Sequence, residues 1–301
     1  MASFRVWMKS FRLRTLPLAI STIAMGGFLS ATAPGFNLKA VIFAGVTTLL
    51  LQILSNLAND YGDAVSGIDN DARVGPKRTV QSGEISKIAI KRAIWIVAFL
   101  AVISGLLLLF YASSLSPSKS LLFLLLGLGA VIAAITYTVG DKPYGYSGLG
   151  DLFVFVFFGL VGVKGTFYLA TLAFDPLLLL PAAAIGMLSA GVINLNNMRD
   201  LKGDLQNGKT TVAGRIGIKN AFYYHCSLVL IPFLLLAFFN IFTERPAVTF
   251  LFLMILPPCV YDLVRLHRAM NEGKIDPFLP LLSLKTLALT FFYGFLLVSQ
   301  T

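Results

Sequence analysis

The sequence predicts an all-α polytopic membrane protein, nine transmembrane helices bundled around a cavity that faces the cytoplasm. Three observations carry that reading. Hydrophobic residues make up 57% of the 301 positions and charged residues 13%, and the mean hydropathy is +0.81, well outside the range of soluble globular chains. Nine apolar runs approach the roughly 20 residues that a bilayer-crossing helix needs. Threading those runs in order then sorts the basic residues onto one side.

The runs are 15–29, 40–61, 93–111, 121–137, 149–173, 177–195, 221–239, 247–266 and 278–299. The first follows Arg12 and Arg14, and the second ends in a polar stretch. The third follows Lys87, Lys91 and Arg92. The fourth starts beside Lys119, and the fifth is rich in Phe and contains Lys164. The sixth ends in a second polar stretch, and the seventh is re-entered from a turn at "GRIGIKNA". The eighth precedes Arg268 and Lys274, and the ninth contains Lys285. Apart from Lys164 and Lys285, nineteen Lys and Arg fall on the side of the N-terminus and three, Lys39, Lys119 and Arg245, on the other. The positive-inside rule therefore puts the N-terminus and the loops after even-numbered spans in the cytoplasm, as expected for an inner (cytoplasmic) membrane protein. This sorting also accounts for the net charge of +10, so no nucleic-acid partner is implied.

One domain, 1–301, is expected, with the longest hydrophilic stretches at about 62–92 and 196–220. Cys226 and Cys259 show no metal-ligand spacing and read as packing residues. His225 and His267 lie near cytoplasmic span ends and read as interfacial.

The two hydrophilic stretches echo one another. In "SNLANDYGDAVSGID", Asn56, Asn59, Asp60 and Asp63 fall at i, i+3, i+4 and i+7, one face of a helix, and Gln52 extends the stripe. In "NLNNMRDLKGD", Asn196, Asn197, Asp200 and Asp204 form a second stripe at i, i+1, i+4 and i+8. Like charges so spaced destabilise a helix, and carboxylates at its C-terminal end oppose the macrodipole. A bound cation offsets both. Carboxylate and amide oxygens without His or Cys suit Mg²⁺, which is commonly shared with substrate phosphates. Basic neighbours (Arg73, Lys77 and Arg78 after the first stripe, Arg199 and Lys209 around the second) favour a metal-bridged anion, diphosphate above all.

On these residues the chain resembles the UbiA superfamily of intramembrane prenyltransferases. The likeness runs through "RLRTLPLAI", "QILSNLANDYGDAVSGID", "GLGDLFVFVFFGLVGVKGTFYL" and "NLNNMRDLKGDLQNGKTTVAGRIG", and is most specific in the second and fourth. Asn59 and Asp63 match the family's first Asn-x-x-x-Asp element, and Asp200 and Asp204 its second, Asp-x-x-x-Asp. Two departures stand out. Gly67 occupies the place of a further Asp, leaving Asp69 as the next acid, and Tyr137 is followed four residues on by Asp141 and only then by Lys142.

Within the family the segments are most similar to members that use 1,4-dihydroxy-2-naphthoate. The resemblance implies Mg²⁺-dependent transfer of a polyprenyl group from polyprenyl diphosphate to that ring, with loss of carbon dioxide and diphosphate, giving demethylmenaquinone. It implies metal binding by Asp60, Asp63, Asp200 and Asp204, with two Mg²⁺ bridging the diphosphate and Asn59 and Asn196 or Asn197 assisting. Arg73, Lys77, Arg78 and Lys209 are expected to hold phosphate oxygens, Arg as a fork and Lys as a point charge, with Arg199 and Lys142 in the same substrate-binding set. The Phe-rich fifth span is expected to line a tunnel for the tail and to face the allylic cation. An ionisable residue inside a span is a functional hypothesis. Lys285, about 10 Å into the ninth span, is therefore expected to orient the acceptor, and Lys164, about 21 Å along the fifth, to snorkel outward. Other acceptors, 4-hydroxybenzoate or homogentisate, fit the same stripes. A secondary transporter fits less well, because transporter sites lie near the midplane in broken helices. A CDP-alcohol phosphotransferase expects its acids in one compact motif.

Overall fold

A chain in hydrocarbon satisfies its backbone polar groups only within helices or a closed barrel, and each apolar run accordingly becomes helical. The computed structural model describes residues 3–67, 77–112, 115–141 and 143–300. Among these there is no strand, and nine helical segments are long and apolar enough to span a membrane, one for each expected run. A short surface helix α1 (Phe4–Ser10) precedes α2 (Leu16–Ala31), α3 (Leu38–Val65), α4 (Lys87–Tyr111) and α5 (Pro117–Thr136). The fifth span is composite: α6 (Gly150–Val154), a π-helical segment (Phe155–Lys164) and α7 (Gly165–Thr171). Then come α8 (Leu179–Gln206), α9 (Val212–Phe242), a 3₁₀ segment (Ala247–Ile255) running into α10 (Leu256–Ala269), and α11 (Phe278–Val298).

Two lengths position the site. Helices α3 and α8 each have 28 residues, about 42 Å at 1.5 Å per residue, against a hydrocarbon core of about 30 Å. Their last turns must therefore project from the membrane, and those turns carry the two Asp stripes. Capping side chains start the neighbouring helices cleanly: Asn37 accepts from Ala40 N at 3.2 Å, Ser86 from Ala89 N at 3.2 Å and Thr211 from Gly214 N at 3.1 Å. The expected turn in "GRIGIKNA" is a single break at Gly217, whose φ of 77° lies in the left-handed region that glycine adopts freely.

The fifth span departs from a plain helix, and its glycines suggest why. A Cβ on Gly159 would lie 2.5 Å from the carbonyl oxygen of Ala182, and one on Gly162 would lie 2.1 Å from Thr22. Backbone is thus pressed against α8 and α2, as small residues permit inside membranes, and the wider π turns sit in this tightly packed stretch. Apolar clusters fix the rest. One lies among α8, α9, α10 and α11 around Ile185, Leu188, Phe233 and Tyr293. A second, where the end of α3 meets the start of α4, packs Trp7 and Phe11 against Leu54, Ile85, Ile90 and Ile94, and so seats the N-terminal segment and the 77–86 loop over the α3 stripe.

Candidate active site

A cavity of about 350 Å³ runs down the bundle from the α3 stripe. Its polar end is walled by Arg12, Arg14, Asn59, Asp63, Arg78, Asn196 and Lys209, and its deeper part by aliphatic residues and by Phe153, Phe157 and Phe158. Asp60 and Asp63 are both buried. Asp60 Oδ1 accepts from Arg12 at 2.6 Å, with Arg78 Nε 3.7 Å away. Asp63 accepts from Arg78 on one oxygen and from the Tyr146 hydroxyl on the other. Arg78 donates in addition to the Asn59 carbonyl at 2.7 Å, while Asn59 Oδ1 accepts from Thr138 at 3.1 Å.

The second stripe meets the first through Tyr146. Lys209 Nζ lies 3.3 Å from Asp204 and 5.8 Å from the centre of the Tyr146 ring, so Asp63, Tyr146, Lys209 and Asp204 form a continuous chain between α3 and the end of α8. Burial, and after it the Asp63 carboxylate, push the Tyr146 phenol above its ordinary value. It therefore remains a donor at neutral pH. Asp200 is gripped by the fork of Arg199, at 2.8 and 2.7 Å.

Several expected residues are placed differently. Arg199, its side chain 1% exposed, is not in the cavity wall. It binds Asp200, Asp276 and, at 2.8 Å, Asn196, and ties α8 to the segment before α11. Asn197 turns from the cavity and donates to Asp151 at 3.4 Å, because adjacent helical residues point about 100° apart. Lys77 is exposed and outside the wall. Lys285 does not reach the cavity: its ammonium donates to Asp262 and to the Pro258 carbonyl, each at 2.6 Å. A half-buried cation within a span seeks the nearest anion, and α10 supplies it. Lys164 lies 5.0 Å over the Phe174 ring beyond the end of its span, consistent with outward snorkelling. His225 is buried rather than interfacial, whereas His267 is exposed. Arg73, Lys142 and Asp69 fall outside the described residues.

The structure adds Arg12, Arg14, Thr138 and Tyr146. Arg12 has a φ of 50°, a strained conformation for a residue with a side chain and one that clusters at functional sites. Its guanidinium reaches Asp60 from the break between α1 and α2.

The donor set fits a hard cation that arrives with its ligand. Every acidic stripe residue offers oxygen, yet no three carboxylate, His or Cys side chains converge on one point among the described residues. Arg12, Arg78, Arg199 and Lys209 already sit on the carboxylates. Mg²⁺ asks for little else, needing one or two carboxylates and completing its shell with water and phosphate.

A lipid-facing bundle with an apolar cavity capped by paired acids and bases defines an intramembrane enzyme acting on an amphipathic anion. The chain belongs to the UbiA prenyltransferase family, whose model matches residues 19–297. It is 43% identical over 275 residues to the 1,4-dihydroxy-2-naphthoate octaprenyltransferase of Escherichia coli (strain K12), covering 91% of this chain and 89% of that one. To the enzyme of the same name in Haemophilus influenzae it is 38% identical over 294 residues, 96% and 94% of the two chains. Its fold is similar to that of a UbiA homolog from Archaeoglobus fulgidus bound to DMAPP and Mg²⁺, with a TM-score of 0.59 at 19% identity over 96% of this chain and 99% of that one.

Proposed function

We propose that the protein transfers a polyprenyl group from polyprenyl diphosphate to 1,4-dihydroxy-2-naphthoate, the prenylation step of menaquinone biosynthesis, as a single integral-membrane domain in the cytoplasmic membrane. The observation that carries this reading is the joining of the two Asp stripes by Arg78, Tyr146 and Lys209 at the mouth of an apolar cavity. The names of its relatives support the acceptor, and the ligands of a solved homolog support an allylic diphosphate with Mg²⁺.

Asp60 and Asp63 on α3 and Asp200 and Asp204 on α8 would hold two Mg²⁺, which when bound neutralise the charge that builds on a departing diphosphate. Arg12, Arg78 and Lys209, counterions of these acids, are the cations that would hold the phosphate oxygens. The allylic C–O bond breaks with its electron pair going to diphosphate. Phe153, Phe157 and Phe158 face the resulting cation with their π clouds, and the aliphatic wall keeps water from trapping it. The naphthoate carbon that bears the carboxylate forms the new C–C bond. Carbon dioxide then leaves, returning its bonding pair to the ring. Fixed cations placed where charge develops are the main catalytic device here.

Purified protein given 1,4-dihydroxy-2-naphthoate, Mg²⁺ and a polyprenyl diphosphate should yield a product heavier than the naphthoate by the prenyl group and lighter by the carboxyl. EDTA should abolish it. A carboxylated product, or transfer to 4-hydroxybenzoate or homogentisate alone, would redirect the acceptor assignment.

The charge bias supports a cytoplasmic N-terminus. Single cysteines replacing Ser66 and Gln206, at the ends of α3 and α8, should react with an impermeant thiol reagent only after lysis, and one at Ser116 in intact cells. The opposite pattern would invert the orientation.

A further inference from the structure

We infer that the amide oxygens of Gln52 and Asn56, one turn apart on α3, form a subsite that accepts hydrogen bonds from the two hydroxyls of a para-dihydroxy aromatic acceptor, Gln52 taking the hydroxyl farther from the reacting carbon. This rests on the prenyl-transfer reading and names the groups by which the cavity holds the ring.

Gln52 extends the first stripe into the apolar run, eleven residues before Asp63 and so about 16 Å from it along the helix. That is too far to share a metal whose ligand oxygens lie about 2 Å from it. A polar side chain inside a span is costly and needs a use. Gln52 and Asn56 both line the cavity, as does Thr15, which precedes α2.

Thr15 decides which way the two amides point. Its hydroxyl donates to the Arg12 carbonyl at 2.9 Å, and its oxygen accepts from Gln52 Nε2 and from Asn56 Nδ2, each at 3.2 Å. Asn56 Nδ2 donates in addition to the Phe11 carbonyl at 3.0 Å. With both nitrogens turned to the N-terminal segment, both carbonyl oxygens turn away from it. Among the described residues neither oxygen accepts a hydrogen bond, and neither is among the polar atoms sealed without a partner. Asn56 is only 3% exposed, so its oxygen opens on the cavity that it lines. Arg12 and Asn56 alone would satisfy the Thr15 hydroxyl, so steadying Thr15 does not account for Gln52.

Carbonyl oxygens only accept, and the subsite therefore calls for donors. The polyprenyl tail has none, and a diphosphate offers acceptor oxygens. The two hydroxyls of the naphthoate are the donors that the reaction brings. One turn of α3 sets the two side chains about 6 Å apart, close to the separation of the oxygens in a para-diol. The ring carbon that bonds to the prenyl group must approach the diphosphate end, which lies on the Asn56 side. Its neighbouring hydroxyl meets Asn56, and the remote one meets Gln52. 4-Hydroxybenzoate carries one hydroxyl and leaves one of the two oxygens without a donor, the mismatch by which a hydrogen-bonding site rejects an analogue.

The test compares 1,4-dihydroxy-2-naphthoate with 1-hydroxy-2-naphthoate, which lacks only the remote hydroxyl. Their dissociation constants are measured on the full-length protein, anaerobically, with Mg²⁺ and inorganic diphosphate present. Wild type should bind the dihydroxy compound at least tenfold more tightly. Gln52→Met, similar in length but without the oxygen, should weaken the dihydroxy compound at least tenfold and leave the monohydroxy one within twofold, so that the preference is lost. Detergent melting checks its folding. A wild type that binds the two alike overturns the subsite without recourse to any variant. So does a Gln52→Met protein that keeps the preference or weakens both compounds alike, the pattern of a residue that only steadies Thr15. Failure of the wild type to prenylate the naphthoate would instead overturn the proposed reaction, while the two binding constants still decide the subsite.

Discussion

Asp63→Asn should reduce turnover at least a hundredfold, about 2.7 kcal/mol of barrier, while the protein stays folded. The two Asp63 oxygens accept from Arg78 and from Tyr146. Asparagine keeps the size, accepts from Arg78 through its one oxygen and can donate to the tyrosine oxygen, so the hydrogen-bond pattern survives with one donor reversed. Only the negative charge is lost. Asp200→Asn should lose turnover to the same degree, because it removes the corresponding negative charge from the α8 stripe, although it also breaks one arm of the Arg199 fork. A variant that keeps more than about a tenth of the wild-type rate, ~1.4 kcal/mol, would show that its carboxylate binds no metal. Steady-state rates with a detergent melting curve separate loss of chemistry from loss of fold.

Arg78→Leu should cost both activity and stability. The guanidinium is 11% exposed and serves Asp63, Asp60 and the Asn59 carbonyl together. Its removal leaves Asp63 with the Tyr146 hydroxyl alone and Asp60 with Arg12 alone, and hydrogen bonds to charged groups are worth about 1.5–3 kcal/mol each. A loss of about 2–4 kcal/mol is expected, because the site lies at the aqueous end of the bundle and the full penalty of a dry interior does not apply. Arg78→Lys should recover much of the stability but not the rate, since a point charge does not reproduce the fork. Equal recovery of both would reduce Arg78 to a counterion.

Spacing along a single helix was readable in advance, and so were the nine spans, the stripes on α3 and α8 and the break near Gly217. What spacing omits is the partner across the bundle. Asn196 and Asn197 look interchangeable in sequence, yet one lines the cavity and the other meets Asp151. Lys285 has the expected depth but the opposite heading, and the acid that holds it, Asp262, is the sole carboxylate within run 247–266. Opposite charges in consecutive spans were the available signal. Arg12 stood in the quoted "RLRT" segment without any sign that a left-handed backbone would aim it at Asp60. Tyr146 joins two stripes more than a hundred residues apart, and only the fold of the loop between α5 and α6 puts it there.

Equilibrium binding of geranyl diphosphate without acceptor, titrated with and without Mg²⁺, isolates the joint role of the two stripes. Wild-type protein should bind it in a Mg²⁺-dependent manner, and Asp63→Asn and Asp200→Asn should each weaken that binding at least tenfold, since the stripes share one anion. Binding that is equally tight without Mg²⁺, or that survives either substitution unchanged, would contradict a metal-bridged diphosphate site built from both helices.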